Sequence, residues 1–94
     1  MTLRYPPELL SFIERVKAKR ARAVLQHILK NGSVTTEELR DVYGYNHPPR
    51  AARDVRELGI PLRTETVLGS GGRRLAQYTI DVDEFRRRQS GRSP

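Results

Sequence analysis

The residues best placed to do chemistry in this 94-residue chain lie together: Tyr45, Asn46, His47, Pro48, Pro49 and Arg50 in one run, then Arg53 and Arg56 at three-residue intervals. At about 100° per residue, a helix over this stretch gathers Ala51, Val55 and Leu58 on one side. It turns Pro49, Arg50, Arg53, Arg56 and Glu57 the other way. An outward guanidinium presents a planar fork of donors that can bond guanine O6 and N7 together, which contributes about 1–3 kcal/mol of base discrimination. The same residues also allow a plainer arrangement, with Arg50–Asp54 and Arg53–Glu57 ion pairs on a solvated face, each adding about 0.2–0.5 kcal/mol. At the helix tip, the Pro48 and Pro49 rings either only set the helix start or also offer a rigid apolar surface to a thymine methyl or to a methyl group on adenine. Such a tip ordinarily carries free N–H groups as well. Asn46 is either the N-cap or a base or phosphate contact, and His47 is either a contact or a surface histidine. Tyr43 and Tyr45 flank the preceding turn, one expected in the core and the other partly exposed, where its phenol can bond a phosphate.

A second basic feature follows at Arg73 and Arg74, directly after Gly69-Ser70-Gly71-Gly72. Four small residues let a backbone come close to a ligand, so the pair suits a phosphate or minor-groove contact, the alternative being a flexible loop with chance arginines. It is not a mononucleotide loop, because no Lys-Ser/Thr and no helix follow.

Other chemistries fare poorly. The chain has no cysteine and only two histidines, and His27 falls on an apolar helical stripe, so neither a cysteine zinc site nor a histidine metal pair is expected. There is no serine in a nucleophile elbow and no carboxylate pair with a nearby lysine of the kind a metal-dependent nuclease needs. Asp81, Asp83 and Glu84 read as charged surface before an arginine-rich end. The expectation is a binding module, not an enzyme, with no cofactor and no metal.

The elements that must position these residues can be read from caps and periodicity. Pro6-Pro7-Glu8 starts a helix carrying Leu9, Phe12, Ile13 and Val16, and Ala21, Val24, Leu25, Ile28 and Leu29 continue at helical spacing until Asn31-Gly32. Whether these form one helix or two is open, and the basic run from Lys17 to Arg22 reads as a solvated face or, alternatively, as a phosphate-contacting element. Thr35 and Glu38 have capping-box spacing and open a helix of about two turns with Leu39, Val42 and Tyr43 inward, ended by Gly44. After a short turn comes the arginine helix, from about Pro48 to Leu58, closed by Gly59. Leu62 to Leu68 and Leu75 to Ile80 alternate around the glycine-rich segment as a hairpin.

Composition agrees with a nucleic-acid partner. Eighteen Lys and Arg against 11 Asp and Glu give a net charge of +7, and lysine occurs only at 17, 19 and 30, so arginine dominates. Such an excess favours a polyanion, and the arginine fork suits phosphate and guanine edges, although a GC-rich genome also enriches arginine. No apolar run approaches membrane-spanning length and no signal-peptide core is visible, so the default compartment is the cytoplasm.

Helix, helix, short turn, helix and basic hairpin is the order of a winged helix-turn-helix, here mainly α with a small β-hairpin and an additional N-terminal helix. The expected organisation is 1–18 as an N-terminal helix on the core, 19–82 as the DNA-binding domain and 83–94 as a basic tail or linker. At Val34-Thr35-Thr36-Glu37-Glu38-Leu39, and above all from Gly44 to Leu62, the sequence resembles the winged-helix domains of bacterial restriction endonucleases, HNH-type nucleases and modification-dependent enzymes among them. The resemblance covers roughly residues 20 to 80. It implies a module that binds a specific site in double-stranded DNA beside a separate nuclease domain, and some such domains read N6-methyladenine. No nuclease motif occurs in these residues. The alternative is a free-standing transcription regulator that dimerises through the N-terminal helix, a monomer being the expectation otherwise.

Overall fold

In the computed structural model, residues 5–90 are described. Two helices, not one, form the N-terminal part: α1 (Pro7–Glu14) and α2 (Lys19–Asn31). Pro7 needs no amide partner at the first helical position, and Glu8 sits in the first turn near the positive end of the dipole. The break between them lets Val16 fold into the core, where it is buried beside Ile13. Gly32 ends α2 in the left-handed region at φ 91°, its N–H bonded to the Ile28 carbonyl.

β1 (Val34–Thr35) and α3 (Thr36–Asp41) share Thr35 as a junction. The Thr35 hydroxyl accepts from the Glu38 N–H at 3.1 Å, and Glu38 Oε1 accepts from the Thr35 N–H at 2.9 Å, completing the expected capping box. The helix is shorter than its pattern suggests. Val42, expected inward, is 64% exposed, because the Tyr43 ring packs toward His27 one residue later and leaves Val42 outside. Gly44, at φ 70°, then reverses the chain, with its N–H bonded to the Arg40 carbonyl and that of Tyr45 to Leu39.

α4 (Pro48–Glu57) follows, and then β2 (Leu62–Leu68) and β3 (Arg74–Ile80), joined through a short 3₁₀ turn at Ser70–Gly72. The hairpin register runs from Leu62 opposite Ile80 to Leu68 opposite Arg74. β1 adds to the far side of β3, Val34 opposite Tyr78, so the sheet is three-stranded and antiparallel in the order β1-β3-β2. The expected two-stranded hairpin is thus corrected to a sheet; a two-residue strand is too short to show alternation, and only its partner across the sheet defines it.

The end of the chain differs more. Val82–Ser90, whose first residues to Phe85 could be read as a short turn of helix and the rest as basic tail, forms one helix, α5. Asp81 Oδ1 accepts from the Glu84 N–H at 3.0 Å, an N-cap bond, and Phe85 is 3% exposed within the core. One cluster of buried residues therefore joins every helix and the sheet, from Leu9 and Ile13 through Leu25, Leu39 and Val55 to Tyr78 and Phe85. The last residues of the expected tail, 91–94, lie outside the described residues. No described helix is long and apolar enough to cross a membrane.

Candidate nucleic-acid interface

α4 is held from behind by Ala51, Ala52 and Val55, all fully buried, and its principal partners are α2 and α3. This leaves Pro49, Arg50, Arg53, Arg56 and Glu57 on the outer face, as helical spacing requires. The four groups beyond Pro49 are not equivalent. Arg50 has no carboxylate partner among the described residues. Arg53 Nε meets Glu57 Oε2 at 3.3 Å, with its side chain still 75% exposed, an i,i+4 pair that solvent weakens and a ligand can displace. The second expected pair is absent: Asp54 faces Arg20 of α2 at 3.4 Å and not Arg50.

Arg56 does something else. Its Nη2 donates to Thr64 Oγ1 at 2.6 Å and, at 3.4 Å, to the Leu62 carbonyl, and its guanidinium lies 5.9 Å above the Tyr78 ring. It ties the end of α4 to the first strand of the hairpin through Nη2, so the guanidinium is held against the hairpin. Burial raises the Tyr78 phenol above its ordinary range, and the Arg56 charge partly opposes that.

The tip of α4 also departs from expectation. Pro48 is buried, so of the two rings only Pro49 is presented outward. His47, not Asn46, occupies the N-cap, and its side chain makes no capping bond. Pro48 and Pro49 lack N–H groups and the Arg50 N–H is bonded to the His47 carbonyl at 2.9 Å. Of the four backbone donors usual at a helix start, two are therefore missing and one is engaged, which leaves that of the N-cap residue His47. The polar groups offered at this tip are chiefly side chains.

Those side chains converge on a polar cleft of about 210 Å³ lined by Arg20, Gly44, Tyr45, Asn46, His47 and Arg50. Four of the residues singled out by sequence, Tyr45, Asn46, His47 and Arg50, are thus brought together. Arg20, in the first turn of α2, joins them from thirty positions upstream; in sequence it was one charge in a basic run, and only the packing of α2 on α4 sets it apart. Tyr45 is half-buried. Its ring stacks on Tyr43 at 5.7 Å and 21°, and the Arg20 guanidinium lies over it, also at 5.7 Å. Tyr43 in turn is bonded to His27 Nδ1 through its hydroxyl at 2.8 Å, while His27 Nε2 stands 3.4 Å from Glu38 Oε2. Burial, followed by the neighbouring Tyr45 and Glu38, raises the Tyr43 phenol. His27 is a packing residue that steadies the turn before α4.

Arg73 and Arg74 are exposed at the outer end of the hairpin, Arg74 in its last rung and Arg73 with its carbonyl bonded to the Gly69 N–H at 2.7 Å. Neither has a carboxylate partner among the described residues. Two of the three acids at the start of α5 are committed: Glu84 bonds Arg87 and Arg88, and Asp81 stands 3.6 Å from Arg63. Among the described residues no group of three or more His, Asp or Glu side chains is placed to hold a metal ion.

Comparison with protein-family models, with curated proteins and with solved structures finds no match for this chain.

Proposed function

We propose that this chain is a winged helix-turn-helix module that binds a specific site in double-stranded DNA, with α4 as the recognition helix and the β2–β3 hairpin as the wing. The observation that carries the reading is the outer face of α4, where Arg50 and Arg53 project beside Pro49 from a helix whose other side is buried at Pro48, Ala51, Ala52 and Val55, Leu58 at its end being, against expectation, 38% exposed. α3, the Gly44 turn and α4 supply the helix-turn-helix order, and a hairpin follows it, tipped by two arginines without a carboxylate partner among the described residues. Arg53 and Pro49 then meet base edges, and Arg73 and Arg74 meet the backbone.

The resemblance of residues 34–39 and 44–62 to restriction-endonuclease winged helices extends the proposal. The module directs a nuclease domain, fused or separate, to its site in a bacterial cytoplasm, and acts as a monomer. Phe12 is the only member of the expected dimer face left partly open, since Leu9, Ile13 and Val16 are buried within the chain itself. Reading of N6-methyladenine belongs to the same proposal and now rests on Pro49 alone, Pro48 being covered. Selection of bound duplexes from a random pool, with and without adenine methylation, tests it. An enriched motif is expected; recovery of unenriched sequence in both pools would reject site-specific binding, and equal affinity for both forms of the motif would reject the methyl clause.

A further inference from the structure

The cleft before α4 has the composition of an anion site but few of the helix-tip amides that usually make one. Two arginines from different helices, Arg20 of α2 and Arg50 of α4, line it together with Asn46 and His47. The prolines have removed two helix-tip N–H groups, and the Arg50 N–H is taken by His47. The Tyr45 ring already carries Tyr43 and the Arg20 guanidinium, which leaves little aromatic face for a nucleobase to stack on. A compact group with acceptor oxygens suits these walls; a flat heterocycle does not.

We infer that this cleft is a phosphate-binding site, clamped by Arg20 and Arg50, and that its ligand is a phosphodiester of the DNA backbone. The second half rests on the DNA-binding reading above. Arg20 is already oriented: Asp54 holds one terminal nitrogen at 3.4 Å and Tyr45 supports the guanidinium plane, so its remaining donors are available with less freedom to lose. Asp54 is also the nearby negative charge that phosphate must tolerate. Arg50 becomes a backbone contact that fixes the register of α4, and base reading passes to Arg53 and Pro49.

The test has two probes, inorganic phosphate and a duplex, followed by amide NMR and by the salt dependence of duplex affinity. Phosphate is expected to shift the amides of Tyr45, Asn46, His47 and Arg50 saturably. Arg20→Gln and Arg50→Gln should each weaken phosphate several-fold and reduce the slope of log affinity against log salt for the duplex, by about 0.9 between them, since they share one phosphate. Asp54→Asn should strengthen phosphate binding, whereas a residue that merely holds the fold would weaken it when changed. Shifts outside the cleft, or an unchanged salt slope in Arg20→Gln with duplex binding intact, would overturn the clamp and leave the DNA-binding reading standing. Saturable phosphate binding in the cleft with no duplex binding would support the phosphate site, reject the backbone as its source and reject the DNA-binding reading. Absence of both would overturn both.

Discussion

Arg56→Ala separates a structural arginine from a DNA-contacting one. The side chain donates to Thr64 Oγ1 at 2.6 Å and to the Leu62 carbonyl at 3.4 Å, and it covers Tyr78. A hydrogen bond from a charged donor contributes about 1.5–3 kcal/mol when shielded, and an exposed cation–π contact about 0.5–1 kcal/mol. Arg56 is exposed, which cuts these contributions, and alanine returns a few tenths of a kcal/mol in helix propensity. The expected net loss is about 1 kcal/mol, or a fall in Tm of about 4–8 °C for a domain of this size. Calorimetry reads that value, and the same variant is then titrated with duplex DNA at several salt concentrations. Because the guanidinium is held against the hairpin, the salt slope should stay that of the parent, in contrast to a loss of about 0.9 for each phosphate contact removed. A variant as stable as the parent with a slope reduced by one would refute the assignment and return Arg56 to the DNA face.

Three further outcomes follow from the same coordinates. Thr35→Ala removes the acceptor for the Glu38 N–H and should lower the unfolding free energy by about 1 kcal/mol with an unchanged urea m-value. Phe85→Ala, in a helix expected as tail, should destabilise by about 3–5 kcal/mol; a loss below 1 kcal/mol would show α5 to be dispensable to the core. The Tyr43 and Tyr78 phenols are raised above 10.0 in the folded chain, so the unfolded state loses its phenolic protons first. Stability should fall as pH rises above 10.0, and Tyr78→Phe should flatten that fall relative to the parent; equal slopes would contradict it.

What was legible in the sequence was local. Thr35 and Glu38 announce a helix start by spacing alone, Gly32 and Gly44 announce reversals, and the outward face of α4 follows from 3.6-residue geometry. The rest depends on partners distant in sequence. Val34 and Thr35 become a strand only because Tyr78 and Gln77 lie opposite. Phe85 looks isolated among arginines until the core closes over it, and Pro48 looks like a tip until α4 turns it inward. The arginines, similar in sequence, divide into Arg56 on the hairpin, Arg53 paired to Glu57, and Arg50 sharing a cleft with Arg20, which the sequence leaves undistinguished within its basic run.

The central claim is that the outer face of α4 binds duplex DNA. It is tested most directly by titrating a selected duplex with the parent chain and the Arg50→Ala/Arg53→Ala double variant across a range of salt. The parent should bind with a log–log slope steeper than about −2, from phosphate contacts by Arg73, by Arg74 and by the Arg20–Arg50 pair. The double variant should bind at least about tenfold more weakly, with a slope shallower by up to about 0.9. Equal binding by the two chains, or a parent affinity indifferent to salt, would contradict it.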